Sequence, residues 1–249
     1  KKEKMAEPQS PHTCPTHGSA CAINPAQWEM SAKLGVSAPL LHEAYMAAQE
    51  KVERAKKHEP QVTNDLKFMA KQNGGKMEGL DFRVKGFGSL FRKITFGCGK
   101  RIVHGESPAL QDVLDDPSMD MNDVLRYTMV FPSDQYTQSV SNVIEALLDA
   151  GYSEGAMNNF WPAKGELTTY VGINSFFRTK CTRAGSYYEF ELQFHTPESL
   201  EVKQNSAHLY YEEFRTELDE KKRARLYSQM ILCFRECPVP DGGPRRRPG

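Results

Sequence analysis

The stretch Tyr187-Tyr-Glu-Phe-Glu-Leu-Gln-Phe-His-Thr196 constrains this chain more than any other. Side chains alternate faces along a strand. Tyr188, Phe190, Leu192 and Phe194 then make one apolar face, and Glu189, Glu191, Gln193 and His195 make a polar one. Burying polar groups without partners is costly. A polar row on a buried sheet therefore points to a ligand. A surface sheet with one wet face is the plainer alternative.

The rest of the chain supplies elements around this strand. Ser37-Ala-Pro-Leu-Leu reads as a capped helix start, and Leu40, Leu41, Ala44, Tyr45, Ala48 and Val52 keep helical spacing up to Pro60. A further helix is expected over Val62–Gln72, ended by Asn73-Gly-Gly75. Leu80–Lys85 alternates like a strand, and Ser89–Ile94 looks helical after the Gly86-Phe-Gly88 turn. The glycines in 96–106 predict a mobile loop. Val124–Phe131 reads as a buried strand, Ser133–Gly151 as a helix, Phe160–Gly165 as a loop and Thr168–Arg178 as a strand. Pro197 opens a charged helix to about Leu218, and a last amphipathic helix spans about Glu220–Glu236. Strands alternating with helices predict an α/β or α+β sheet domain with a helical N-terminal lobe. Residues 1–24 read as a leader or linker, 25–236 as a single domain, with a first helix from Pro25 to about Gly35, and 237–249 as a disordered tail.

Composition narrows the function classes. The formal net charge is +0, which argues against broad attraction to nucleic acid or to an anionic membrane. No apolar run approaches a membrane span, and Lys1-Lys-Glu-Lys does not open like a signal peptide. The six cysteines form no Cys-x-x-Cys pair, so no disulfide scaffold is expected. His12, Cys14, His17 and Cys21 cluster, but their spacing matches no common zinc pattern, and a linker is expected there.

Three segments carry usable chemistry. Arg83 and Lys85, followed by Arg92 and Lys93, offer fixed cations of the kind a phosphate chain needs. Asp123, at the mouth of a buried strand, and Glu191 are two carboxylates suited to Mg²⁺, which completes its shell with water and phosphate oxygens. Tyr170-Val-Gly-Ile-Asn174, after a loop with Lys164, offers a ring that can stack on a purine and an amide that can read an edge. Each has a bland reading: a solvated basic edge, a turn-capping acid and a structural strand tyrosine. Together they are the tools of phosphoryl-type transfer.

The order of these segments resembles the RelA/SpoT-type alarmone synthetases. Arg83-Val-Lys-Gly-Phe-Gly-Ser-Leu-Phe-Arg-Lys-Ile94 is similar to the family's basic ATP-binding segment, and Asp123-Val-Leu-Arg-Tyr-Thr-Met-Val-Phe131 to its metal-binding aspartate on a buried strand. Pro162–Asn174 is similar to the acceptor-binding loop, with Tyr170 in the place of the stacking tyrosine. Glu191-Leu-Gln-Phe-His-Thr196 is similar to the catalytic Glu-x-Gln-x-x-Thr strand, and Ser206–Tyr211 to the histidine segment after it. The resemblance implies an α+β fold, with a mixed five-stranded sheet flanked by helices and with N- and C-terminal helices.

It also implies transfer of the β,γ-pyrophosphate of ATP to the 3′-hydroxyl of a second purine nucleotide. Arg83, Lys85, Ser89, Arg92 and Lys93 are then expected to hold ATP phosphates, and Asp123 and Glu191 to bind Mg²⁺. Glu191 would act on the 3′-hydroxyl with Gln193 orienting it, and Tyr170, Lys164, Asn174 and His195 would receive the acceptor. Asn174, His195, Arg126 and Thr128 depart from the family pattern, partly around the acceptor site. No hydrolase segment accompanies the synthetase segments, so the chain would make product without removing it. The nearest resemblance is the (p)ppApp synthetase toxin domain of a type VI secretion effector. From it we expect an adenosine acceptor with ADP favoured, depletion of ATP, a cognate immunity protein and no membrane or nucleic-acid partner. The chain would be the C-terminal domain of a longer effector, secreted by one bacterium and acting in the recipient's cytoplasm. Three alternatives stay open: a GDP/GTP-using synthetase, an NAD-dependent ADP-ribosyltransferase using Glu189-Phe-Glu191, and a non-catalytic purine-nucleotide-binding module.

Overall fold

A computed structural model describes residues 33–116, 119, 121–163, 166–179, 187–214, 217 and 219–241. The expected leader with its His12/Cys14/His17/Cys21 cluster, most of the helix expected from Pro25, Lys164, and residues 242–249 of the tail lie outside the described residues.

The chain opens with α1 (Ala38–Gln72), then β1 (Lys76–Glu78), a 3₁₀ turn (Leu80–Phe82), α2 (Phe87–Val103) and the short α3 (Leu110–Leu114). β2 (Arg126–Val130), α4 (Tyr136–Asp149), β3 (Ser153–Asn159), β4 (Ile173–Arg178) and β5 (Glu189–His195) follow. A helical run then passes through α5 (Pro197–Val202), a π-helical turn (Lys203–Ala207) and α6 (His208–Phe214) before α7 (Glu220–Phe234). The strands form one mixed sheet in the order β1-β2-β5-β4-β3. Only β2 and β5 run parallel, with Arg126 opposite Glu191, Thr128 opposite Gln193 and Val130 opposite His195. β4 is antiparallel to β5, with Asn174 opposite Gln193. The expected α+β class and five-stranded mixed sheet flanked by helices are what the fold shows.

The alternation along β5 divides the sheet. Tyr127 and Met129 lie on the face of Phe190, Leu192 and Phe194, and these side chains join the core with Leu66 of α1, Phe91 of α2 and Val143 of α4. Two hydroxyls fix the layers. Tyr127 pairs with Thr63 of α1 at 2.8 Å, and Tyr136 of α4 donates to the Phe194 carbonyl at 2.9 Å. The opposite face carries Arg126, Thr128, Asn174, Glu191, Gln193 and His195. Its β5 row is dry, with Glu191 3% exposed, Gln193 5% and His195 0%, while Arg126 at its edge is exposed. The polar row is buried beneath the helical run after β5.

Several expectations need correction. Pro60 does not end a helix, because α1 continues through it to Gln72. A proline there forfeits one backbone hydrogen bond. The buried series Leu41, Ala44, Ala48, Val52, Ala55, Val62, Leu66 and Ala70 lies on both sides of it, so packing of one continuous face offsets that loss. Residues 80–85 are not a strand. They form the 3₁₀ turn and a single bridge, Val84 to Leu125. Residues 96–103 are not a loop but the second half of α2, where Gly97 lets Val113 and Met119 approach; an added Cβ would meet them at 2.7 Å. The strand expected from Thr168 starts only at Ile173. The edge strands β1 and β3 were not foreseen.

Candidate functional site

The backbone builds the basic side of the site by pairing two short segments. The Lys85 N–H donates to the Val124 carbonyl at 2.8 Å, and the Arg126 N–H to the Arg83 carbonyl at 2.8 Å. This sets Lys85 against Asp123 in the turn before β2. Lys93 reaches the same acid from the second turn of α2. Lys85 bonds Oδ2 and Lys93 donates to Oδ1 at 3.1 Å, so one carboxylate holds two ammonium groups. Asp123 is 8% exposed. Burial opposes its charge, but Lys85 and Lys93 outweigh burial and hold the carboxyl below the usual range. Burial in turn pulls the Lys85 ammonium below its ordinary value, against the opposing pull of Asp123.

Around this cluster, Ser89 and Arg92 lie exposed on the first turns of α2, whose first turn carries no acid. Arg83 is engaged on the other side. It bonds the Glu59 carboxylate and the Leu80 carbonyl, and Glu59 also accepts from Thr63 at 2.6 Å. The hydrogen bond from Arg83 holds the Glu59 carboxyl below its ordinary value.

The strand side is built differently. Gln193 donates from Nε2 to Glu191 Oε1 at 2.7 Å and accepts at Oε1 from Lys203 at 2.6 Å. Arg126 stands over the acid, with Nε 4.0 Å from Glu191 Oε2. The Lys203 ammonium lies 3.3 Å from His195 Nε2 and 5.5 Å over the ring of Tyr170. Tyr170 Oη donates to Asn174 Oδ1 at 2.8 Å and lies 3.0 Å from His195 Nε2. On its other side, His195 Nδ1 is 2.9 Å from Ser199 Oγ.

Local sequence explains this packing. Thr196 and Ser199 cap α5 reciprocally, Thr196 accepting from the Ser199 N–H at 3.2 Å and Ser199 from the Thr196 N–H at 3.0 Å. The helix cap thus carries the hydroxyl that orients His195. Gly172, at φ +135, permits the Tyr170 loop to pass the imidazole, since a Cβ there would meet His195 Cε1 at 2.9 Å. Burial, and then the charge of Lys203, hold the His195 imidazole well below its ordinary pKa. Burial and the neighbouring Arg126 bring Lys203 down to about 8, with Glu191 pulling the other way. Burial, then the charge of Glu191, push the Tyr170 hydroxyl up.

The structure gathers eight of the anticipated residues into two groups and leaves Arg83, Ser89 and Arg92 outside both. Lys85, Lys93 and Asp123 form one, and Glu191, Gln193, His195, Tyr170 and Asn174 form the other. Arg126 links them: it lies three residues past Asp123 and opposite Glu191. Lys164 lies outside the described residues. Sequence reasoning missed Lys203, Glu59 and Ser199, and treated Arg126 only as a departure. The Ser199 cap was readable from Thr196-Pro-Glu-Ser199. Lys203 had no such signature: its partners on β5 and in the Tyr170 loop come from tertiary packing.

The donor set bears on a metal. Among the described residues no group of three or more His, Cys, Asp or Glu side chains could hold one. Asp123 and Glu191 are hard oxygen donors on either side of Arg126. That set fits Mg²⁺, which takes one or two carboxylates and draws the rest of its shell from water and phosphate. It does not fit an ion held by protein alone.

Two surface hollows lie away from these residues, one lined by Lys76, Glu78, Pro197 and Gln204 and one by His42, Met46 and Leu110. No helix among the described residues is long and apolar enough to cross a membrane.

No known protein family model matches the chain. No curated protein matches it either. Solved structures do. Small alarmone synthetase 2 from Bacillus subtilis aligns at TM-score 0.47 and 12% identity, covering 75% of this chain and 92% of that one. Small alarmone synthetase 1 from Bacillus subtilis, bound to its product pppGpp, aligns at 0.44 and 15%, covering 71% and 87%. A GTP pyrophosphokinase family protein from Streptococcus pneumoniae aligns at 0.44 and 13%, covering 74% and 84%.

Proposed function

We propose that the chain is an ATP:nucleotide 3′-pyrophosphokinase. The acceptor's O3′ attacks the β-phosphorus of ATP, the bond from that phosphorus to the α-phosphate oxygen breaks, and AMP leaves with the electron pair. Glu191 takes or orients the proton of the 3′-hydroxyl. Arg83, Lys85, Ser89, Arg92 and Lys93 bind the ATP phosphates, the lysines exchanging Asp123 for phosphate oxygens. Asp123 and Glu191 hold Mg²⁺, which, when bound, neutralises charge on the phosphates. Gln193 keeps Glu191 in place. Tyr170, Asn174 and Lys164 receive the acceptor, a purine nucleotide with ADP favoured; His195, expected there from the sequence, is fully buried and instead backs Tyr170.

The observation that carries this reading is the parallel pairing of β2 with β5. It sets Glu191, buried and bonded to Gln193, opposite Arg126, three residues along the chain from the carboxylate that gathers two lysines. In-line transfer of a phosphoryl-type group asks for that neighbourhood: cations for the donor and a placed acid for the nucleophile. The adenosine acceptor and the biological role follow from the resemblance of the sequence segments. In that role the protein is a toxin delivered by a bacterial secretion system into the recipient's cytoplasm, where it depletes ATP and is neutralised by an immunity protein.

The test is incubation with Mg²⁺, labelled ATP and, separately, ADP, GDP or NAD. AMP and a 3′-pyrophosphorylated nucleotide are expected, more with ADP than with GDP, and Glu191→Gln abolishes both while the circular dichroism spectrum is unchanged. Higher turnover with GDP reassigns the acceptor. Consumption of NAD without AMP makes the chain an ADP-ribosyltransferase, and nucleotide binding without turnover makes it a binding module.

A further inference from the structure

Lys203 reaches both the Gln193 amide beside Glu191 and the His195–Tyr170 pair. Its ammonium has three N–H donors and no acceptor. The geometry distributes them among Gln193 Oε1 at 2.6 Å, His195 Nε2 at 3.3 Å and the face of Tyr170, whose centroid is 5.5 Å away. An ammonium cannot accept, so it must meet Gln193 through the amide oxygen. The amide nitrogen is then turned toward Glu191 Oε1, where it sits at 2.7 Å. The flipped amide would set its N–H groups against the ammonium and its oxygen against a carboxylate oxygen, and both contacts repel. In the neutral His195 tautomer that carries its proton on Nδ1, Nε2 faces the ammonium as an acceptor. Nδ1–H then donates to Ser199, which passes its own hydroxyl proton to the Thr196 carbonyl at 3.1 Å.

The backbone supports this reach. Lys203 opens a π-helical turn, Lys203–Ala207, between two α-helical stretches. Such turns are rare and recur at functional sites. The charged groups facing Lys203 are Glu191 from β5 and Arg126 from β2. His195, Gln193 and Tyr170 meet it as neutral partners.

We propose that Lys203 is a positioning residue: it fixes the amide of Gln193, and through it the carboxylate of Glu191. This role rests on the pyrophosphokinase reading of the same site. It predicts a loss of turnover rather than of ATP binding, because Lys203 touches none of Arg83, Lys85 or Lys93.

A double-mutant cycle tests it on the full chain. Lys203→Met lowers kcat about 10- to 100-fold and leaves KM for ATP within about twofold. In a Gln193→Leu background the same substitution lowers kcat no further, because the group it acts through is gone. Lys203→Arg, which keeps the charge and the donors, recovers part of kcat. Lys203→Met leaves Gln193 Oε1 without its donor, so a small fall in Tm accompanies the loss of kcat. A full additional loss in the Gln193→Leu background overturns the proposal, as does a lowered Tm with kcat unchanged.

A second readout does not need turnover. The side-chain amide signals of Gln193, identified in a ¹⁵N–¹H spectrum by their absence from Gln193→Leu, are protected from exchange in wild type and lose that protection in Lys203→Met. Unchanged protection also overturns the proposal. If wild type makes no AMP while this protection behaves as expected, the structural role stands and the pyrophosphokinase reading falls.

Discussion

Around Asp123 the side chains meet as ions, whereas around Glu191 most of the partners are neutral. Lys85 and Lys93 converge on Asp123, and Arg83 is paired with Glu59. These lysines and Arg83 are roughly a fifth to a third exposed, so their pairs exchange readily with an incoming anion. Glu191 meets the Gln193 amide and the Arg126 guanidinium, and beyond the amide Lys203 ties in an imidazole and a phenol; Glu191, Gln193 and His195 are buried, while Tyr170 and Lys203 are half-buried. The first region stores cations against a carboxylate until a phosphate replaces it. The second is already arranged before any ligand arrives. A transfer site needs both kinds: exchangeable charge to receive the donor, and a fixed frame to aim the nucleophile.

The largest expected effect breaks the ionic region. Asp123→Asn removes the charge that Lys85 and Lys93 share, and removes one proposed ligand for Mg²⁺. Turnover in the transfer assay falls about 10³-fold, the scale of losing a principal electrostatic contribution. Stability falls by about 2 kcal/mol in urea unfolding, because two half-buried ammonium groups lose their counter-ion. Binding of ATP measured without Mg²⁺ does not weaken, since the two lysines are no longer engaged. If ATP binding without Mg²⁺ weakens as much as turnover, Asp123 does not act as a placeholder for phosphate, and the contrast between the two regions fails.

The frame was easier to read from sequence than the ionic region. Alternation in Glu189–His195 marks β5 and its polar row, because period-two patterning survives whatever packs above it. The same pattern misled at Leu80–Lys85, where Phe82 points outward in a 3₁₀ turn and is 81% exposed. There the cations are placed by a backbone bridge to Val124–Arg126, a long-range pairing that no local period encodes. Glu59 next to Pro60 read as the ragged end of a helix. In the fold it is an interior position of α1 that meets Arg83. β3, with the sequence Ser-Glu-Gly-Ala-Met-Asn-Asn, has no β-branched residue and is mostly exposed, so its strand state comes from pairing with β4 alone. Lys203 shows the same limit in the frame itself: a lysine in a charged helix acquires its partners only when that helix packs against β5.

A middle-sized effect sharpens the contrast through pH. His195 is fully buried, and burial with Lys203 beside it holds its pKa well below 6.5. The unfolded chain binds a proton on this imidazole below about 6.5 while the folded chain does not, so stability falls as pH drops through that range. The facing groups, Lys203, Tyr170 and Ser199, offer no carboxylate to reverse the sign. Between pH 7 and pH 5, His195 therefore contributes a loss of about 1–2 kcal/mol, which disappears in His195→Asn when the two unfolding curves are compared. Asp123 and Glu59, both held below their usual values, add losses only at lower pH, as each is protonated. A wild-type curve flat from pH 7 to pH 5 would mean that the imidazole accepts its proton inside the fold.

The smallest effect asks whether Arg83 belongs to the exchangeable region. Glu59→Gln keeps the shape of the side chain and removes the charge that holds the guanidinium. The pair is partly exposed, at 31% for Arg83 and 14% for Glu59, so the loss of stability is about 1 kcal/mol or less. If Arg83 serves ATP, it must leave Glu59 to do so, and releasing it in advance lowers KM for ATP by about two- to threefold at unchanged kcat. If KM rises instead, Glu59 is what aims Arg83, and the arginine belongs with the fixed frame. The two outcomes differ in sign, so a steady-state titration of ATP against both proteins decides between them even though the change is small.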